Sequence, residues 1–93
     1  MGKGRYILER LAEEADLREE PMPGLPLIEL AGDRRVLFEN HLGVKAYGRD
    51  RIVVKVKFGT VCVCGEDLEM ARMSRDQLVI CGRIGGVSLH RRK

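Results

Sequence analysis

The sequence predicts a mainly-β domain: a small antiparallel sandwich or roll of about seven to eight short strands with one N-terminal α-helix. Three observations predict it. Apolar and polar residues alternate in short runs between Leu25 and Leu89, most clearly in Ile52-Val53-Val54-Lys55-Val56-Lys57-Phe58. Glycines punctuate the runs, as in Val61-Cys62-Val63-Cys64-Gly65 and Leu78-Val79-Ile80-Cys81-Gly82. A faint repeat at an offset of seventeen aligns Val61, Val63, Cys64, Gly65 and Met70 with Leu78, Ile80, Cys81, Gly82 and Val87. That repeat keeps a short β-solenoid-like roll open as the alternative to paired hairpins.

The organisation follows from composition along the chain. Residues 1–20 form the predicted amphipathic helix, with Ile7, Leu8, Leu11 and Ala15 on one face and Glu9, Arg10, Glu13 and Glu20 on the other. Two roles are open for it: packing on the sheet edge, or docking in a partner's groove. Residues 21–26 hold three prolines, which stop a helix and favour extended backbone, so they read as a linker. Residues 27–90 are the β-domain and 91–93 a basic tail.

Within the β-domain, Leu27–Ala31 is a strand, Gly32-Asp33 a two-residue hairpin turn, and Arg34–Glu39 the return strand. Asn40-His41-Leu42-Gly43 is a turn, and Val44–Tyr47 a short strand closed by Gly48-Arg49-Asp50. In the long run that follows, Ile52, Val54, Val56 and Phe58 face the core, and Val53, Lys55 and Lys57 face water. Gly59-Thr60 suits a type II′ turn. Further strands are expected at Val61–Gly65, around Leu68, Met70 and Met73, at Leu78–Cys81, and through Ile84, Val87 and Leu89.

A chain of 93 residues with two Phe, two Tyr and no Trp builds its core from aliphatic side chains. Each fully buried one contributes roughly 1.5–3 kcal/mol, much of it offset by chain entropy. A partner or self-association is therefore expected to add stability. The net charge of +3 divides into −2 over residues 1–20 and +5 over the rest. The basic excess ends in His90-Arg91-Arg92-Lys93 and reads as a solvated tail; few aromatics are present to stack bases, so nucleic acid is an unlikely partner. The N-terminus lacks the apolar stretch of an export signal, and no run is long enough to span a membrane, so the reading is cytoplasmic with reduced thiols.

No catalytic constellation overlies this pattern. Cys62 and Cys64 point to one face of a strand, with Cys81 nearby if the hairpins stack, but C-x-C on a strand is not a turn-borne zinc knuckle, and the thiols read as small apolar fillers. Glu39 beside His41 invites an acid–base reading, yet no nucleophile or second carboxylate accompanies them. The preferred reading is a surface turn whose polar side chains bond their own backbone. Gly82-Arg83-Ile84-Gly85-Gly86 lacks the Lys-Ser/Thr ending of a phosphate loop, and its glycines read as bulges and turns. The expectation is a non-enzyme with no cofactor and no metal.

The order of motifs carries a resemblance. Pro26-Leu27-Ile28-Glu29-Leu30-Ala31-Gly32, followed by Val36-Leu37-Phe38-Glu39-Asn40-His41-x-Gly43, resembles the opening of the YqfC sporulation proteins. Gly59-x-Val61-x-Val63-x-Gly65-x-x-Leu68-x-Met70, then Leu78-x-Ile80-x-Gly82-x-Ile84-x-x-Val87, is similar to the rest of the broader YabP/YqfC family. Glu39, Asn40, His41 and Gly43 form the most specific part. The C-terminal Gly85-Gly86 and Ser88-Leu89 and the three cysteines depart from the family pattern. The resemblance implies a non-enzymatic sporulation protein of endospore-forming bacteria, made in the mother cell and placed at the membrane around the forespore. It also implies a membrane protein of the YqfD type as partner. Self-assembly into rings or filaments is the alternative, and nucleic-acid binding the second alternative.

Overall fold

A computed structural model describes residues 24–92. The predicted helix of residues 1–20 lies outside the described residues, as does the linker up to residue 23. Six strands follow: β1 (Leu27–Ala31), β2 (Arg35–Glu39), β3 (Gly43–Tyr47), β4 (Arg51–Val56), β5 (Gly59–Met73) and β6 (Gln77–Arg91). They form one sheet in the order β1-β2-β6-β5-β4-β3, with every neighbouring pair antiparallel. The mainly-β antiparallel expectation holds. The solenoid alternative does not, because a coil of that kind stacks its strands in parallel.

The strand count differs from the sequence reading for a definite reason. The four short strands expected after residue 60 are two strands of 15 residues each. They form one long hairpin whose register breaks at Gly65, paired with Ile84, and again opposite Gly82. Between Glu66 and Glu69 the register slips, so that Asp67 and Leu68 oppose Gly82 alone. Asp67 takes a left-handed φ of 53°, and its carbonyl and the Leu68 Cα occupy the space a side chain on Gly82 would need. These glycines bend strands rather than end them. The seventeen-residue repeat is this symmetry: two equal strands, each with a glycine near its middle.

Two turns also differ. The β4–β5 turn is Lys57-Phe58, because Val56 already pairs with Gly59. Ala31 pairs with Arg35, so Gly32-Asp33 extends to a three-residue loop that includes Arg34, whose amide donates to the Ala31 carbonyl (3.2 Å).

The bend divides the sheet into two lobes. One contains β1, β2 and the turn-proximal halves of β5 and β6; the other contains β3, β4 and their remaining halves. The connection between β2 and β3 requires the lobes to fold over one another. From Glu39 to Gly43 the chain takes four residue steps, at most about 14 Å. In a flat sheet β6, β5 and β4 would hold β2 and β3 about 19 Å apart at roughly 4.8 Å per strand. The sheet is therefore a single curled one rather than two separate layers. Its inner face supplies one buried cluster: Val36 and Phe38 from β2, Ile52, Val54 and Val56 from β4, with Val61, Val63, Leu68, Leu78, Ile80 and Ile84 from the hairpin. Lys55 and Lys57 are exposed as expected, but Val53 is only 7% exposed on the outer face. There it pairs with Cys62, itself 8% exposed, so β4 is buried on both sides at its centre.

Candidate functional site

The Glu39-Asn40-His41-x-Gly43 segment is the crossing between the lobes. Asn40 adopts a left-handed φ of 65°, a conformation asparagine tolerates better than most residues. That turns the chain out of β2. The Asn40 amide then donates to the Asp76 carbonyl at the tip of the β5–β6 hairpin (2.7 Å), and its side-chain Nδ2 donates to the Leu25 carbonyl (3.0 Å). Glu39 accepts a bond from Gln77 Nε2 at 3.2 Å.

His41 is the one buried polar residue of the described chain, 6% exposed. Its Nδ1 accepts the Gly43 N–H at 3.0 Å. That fixes the neutral ring with hydrogen on Nε2, which donates to the Ser74 carbonyl at 3.0 Å. The next residue crosses to the other lobe: the Leu42 amide donates to the Lys55 carbonyl of β4 (2.7 Å). Four consecutive residues thus tie β2, the hairpin tip and β4 together. Both ring nitrogens are engaged with backbone, so the arrangement holds geometry and offers no free base. The expected surface turn is a clasp closed around one buried side chain, His41, with only the Gly43 bond made locally. The partner at Ser74 lies 33 residues away, and the sole sequence signal for it is the Ser74-Arg75-Asp76-Gln77 turn.

The cysteines do not converge. Cys62 and Cys64 are neighbours on the outer face of β5, their sulfurs 3.6 Å apart. Cys81 pairs with Arg35 and so lies on the outside of the other lobe, not beside them. The hydrogen bond with Cys62 raises the Cys64 thiol above its ordinary value, with desolvation adding to it. His90 is exposed and bonded to Ser88 Oγ at 3.0 Å. Among the described residues, no group of three or more His, Cys, Asp or Glu side chains is placed to hold a metal ion. The start of the basic tail is structured: Arg91 ends β6, and Arg92 donates from its amide to Phe58 O (2.9 Å) and from Nη2 to Lys57 O (2.6 Å).

Comparison with known families matches residues 26–93 to the YabP family. The chain belongs to the YabP family. The match spans all six strands and the clasp, and membership suggests a sporulation-related protein. No curated protein and no solved structure matches the chain. No helix among the described residues is long and apolar enough to cross a membrane.

Proposed function

We propose that this YabP-family chain is a non-enzymatic sporulation protein that works by contact. Its partner is the cytosolic part of a YqfD-type membrane protein in the mother cell of an endospore-forming bacterium, which places the chain peripherally at the membrane around the forespore. Family membership supports the sporulation context. The observation that carries the contact role is the pair of open sheet edges: among the described residues β1 pairs only with β2, and β3 only with β4. Both edges carry exposed large apolar side chains, Leu30 (57%) on β1 and Tyr47 (56%) on β3. An open edge offers main-chain hydrogen bonds to an added strand, and apolar side chains beside it give that strand something to bury.

The test is fractionation of sporulating cells with and without the YqfD-type partner. The chain is expected in the membrane fraction only when the partner is present. A chain that stays in the soluble fraction in both strains overturns the reading.

The same edges favour a second reading. They lie at opposite ends of one sheet, so β1 of one copy pairing with β3 of the next would build an open filament or a closed ring. Sedimentation of the purified chain decides it: a strict monomer at high concentration removes self-assembly.

A further inference from the structure

The outer face of the lobe containing β3 and β4 gathers four Lys and Arg side chains around one groove, with His90 beside them. Lys45, Lys55, His90, Arg91 and Arg92 line a groove of about 580 Å³, together with Gly59 and Thr60. Lys45, Thr60 and His90 also line an adjoining recess that adds Arg51 over Val53 and Cys62. No Asp or Glu among the described residues lines either one. The ion pairs of the described chain, Arg49–Asp67 and Arg83–Glu66, lie elsewhere. Lys45, Arg51, Lys55 and Arg91 have no carboxylate within ion-pair distance among the described residues.

Two backbone features build this surface. The β3–β4 register shifts between Val44 and Ala46, leaving Lys45 as the extra residue of a bulge, a device that re-aims a side chain. The clasp then holds Leu42 at the groove through its bond to the Lys55 carbonyl (2.7 Å). Leu42 is 62% exposed. Like charges gathered on one sheet face repel one another, and an anionic ligand relieves that repulsion.

We propose that this groove docks the phosphate headgroups of an anionic phospholipid surface, with Leu42 entering the acyl boundary. The choice of lipid over nucleic acid rests on the lining. No aromatic among the described lining residues is present to stack a base, whereas an exposed leucine beside lysines and arginines suits a membrane interface. This goes beyond the protein partner proposed above and does not depend on it.

The experiment is co-sedimentation of the full chain with vesicles that contain no protein. One set is phosphatidylcholine alone, the other a mixture with phosphatidylglycerol. Binding is expected only to the mixture and is expected to weaken as salt rises. Replacing Lys45→Gln and Lys55→Gln together removes two charges, each worth about fivefold, so partitioning falls about 25-fold. Leu42→Ser weakens the binding that persists at high salt. Arg72→Gln, exposed on the other lobe, leaves binding unchanged. Thermal melts establish that each variant is folded. Equal binding to both vesicle types, binding to neither, or wild-type binding by the double lysine variant overturns the proposal. So does tighter binding to a single-stranded oligonucleotide than to the mixed vesicles. A chain that binds no vesicle yet fractionates with its membrane protein leaves the proposed function standing and removes this site alone.

Discussion

Replacing His41 with alanine removes both ring nitrogens from the crossing between the lobes. The Gly43 amide loses its acceptor and the Ser74 carbonyl its donor. Gly43 is half-buried, so its orphaned N–H costs about 1–3 kcal/mol. Ser74 is exposed, so water replaces the imidazole there, and the loss is the net worth of one bond, about 0.5–1.5 kcal/mol. Together they amount to about 2–4 kcal/mol, a large share of the stability of a domain this size. In a thermal melt that is a drop of about 8–32 °C, given roughly 4–8 °C per kcal/mol for a small domain. Urea titration with two probes checks the energy and the two-state assumption together. His41→Asn refines the test, because its side-chain oxygen reaches the Nδ1 position and keeps the Gly43 bond. It is expected to recover about 1 kcal/mol relative to alanine. If His41→Ala costs less than about 0.5 kcal/mol, the level of an ordinary surface change, the clasp bears no weight. A stable His41→Ala chain that fails to support sporulation would instead give the imidazole a chemical role.

Gly82→Ala is expected to destabilise by about 2–4 kcal/mol, since its Cβ would sit 2.6 Å from the Asp67 carbonyl at a φ of 141°; a stability loss near zero by urea titration would show that the bend can open. Val54→Asp places an unpaired carboxylate in the core and costs at least about 4 kcal/mol, leaving an unfolded chain by circular dichroism. Lys55→Asp one position on stays within about 0.5 kcal/mol of wild type. Val53→Asp behaves like Val54→Asp rather than like Lys55→Asp, and a tolerated Val53→Asp would show that the outer face of β4 is wet. The Cys64 thiol, raised by its bond to Cys62, is expected to alkylate with iodoacetamide more slowly than a free cysteine at neutral pH. Cys62→Ala removes that bond, increases the thiolate fraction and speeds the reaction, as mass spectrometry of the modified peptide would show.

Period-two alternation is a local signal, and what it governs was legible. Leu27–Ala31 is a strand with the expected bounds, and of the inward set Ile52, Val54, Val56 and Phe58 the first three are buried while Phe58 is half-buried in the turn after β4. Residues 61–89 read as four short strands because a glycine that bends a strand and one that ends it look alike in sequence. Only the pairing of Gly65 with Ile84 across the hairpin separates the two cases. Val53 reads as solvent-facing because its neighbours Lys55 and Lys57 do. It sits between Ala46 of β3 and Cys62 of β5, neighbours that alternation along β4 does not encode. The Lys45 bulge is illegible for the same reason, being a property of two strands at once. His41 sits in a turn on any local reading, and its defining bond reaches across the fold to Ser74.

The Glu-Asn-His-x-Gly segment that carries the resemblance has a topological task in this fold. A curled sheet in this strand order must send the chain from β2 to β3 in three residues. Those residues must turn sharply, bury a polar ring without stranding its nitrogens, and emerge against β4. Asparagine supplies the left-handed turn, histidine supplies an acceptor and a donor on opposite sides of one small ring, and Leu42 and Gly43 complete the passage. What the curl leaves outside is, among the described residues, two edge strands with one neighbour each and the basic groove of the proposal above, held by the same crossing through the bond from Leu42 to Lys55. Loosening the crossing should therefore disturb the groove as well as the core. His41→Asn at a temperature where it remains folded is expected to bind anionic vesicles more weakly, although it removes no charge from the groove. Undiminished vesicle binding by that variant would show the groove to be positioned by β4 and β5 alone.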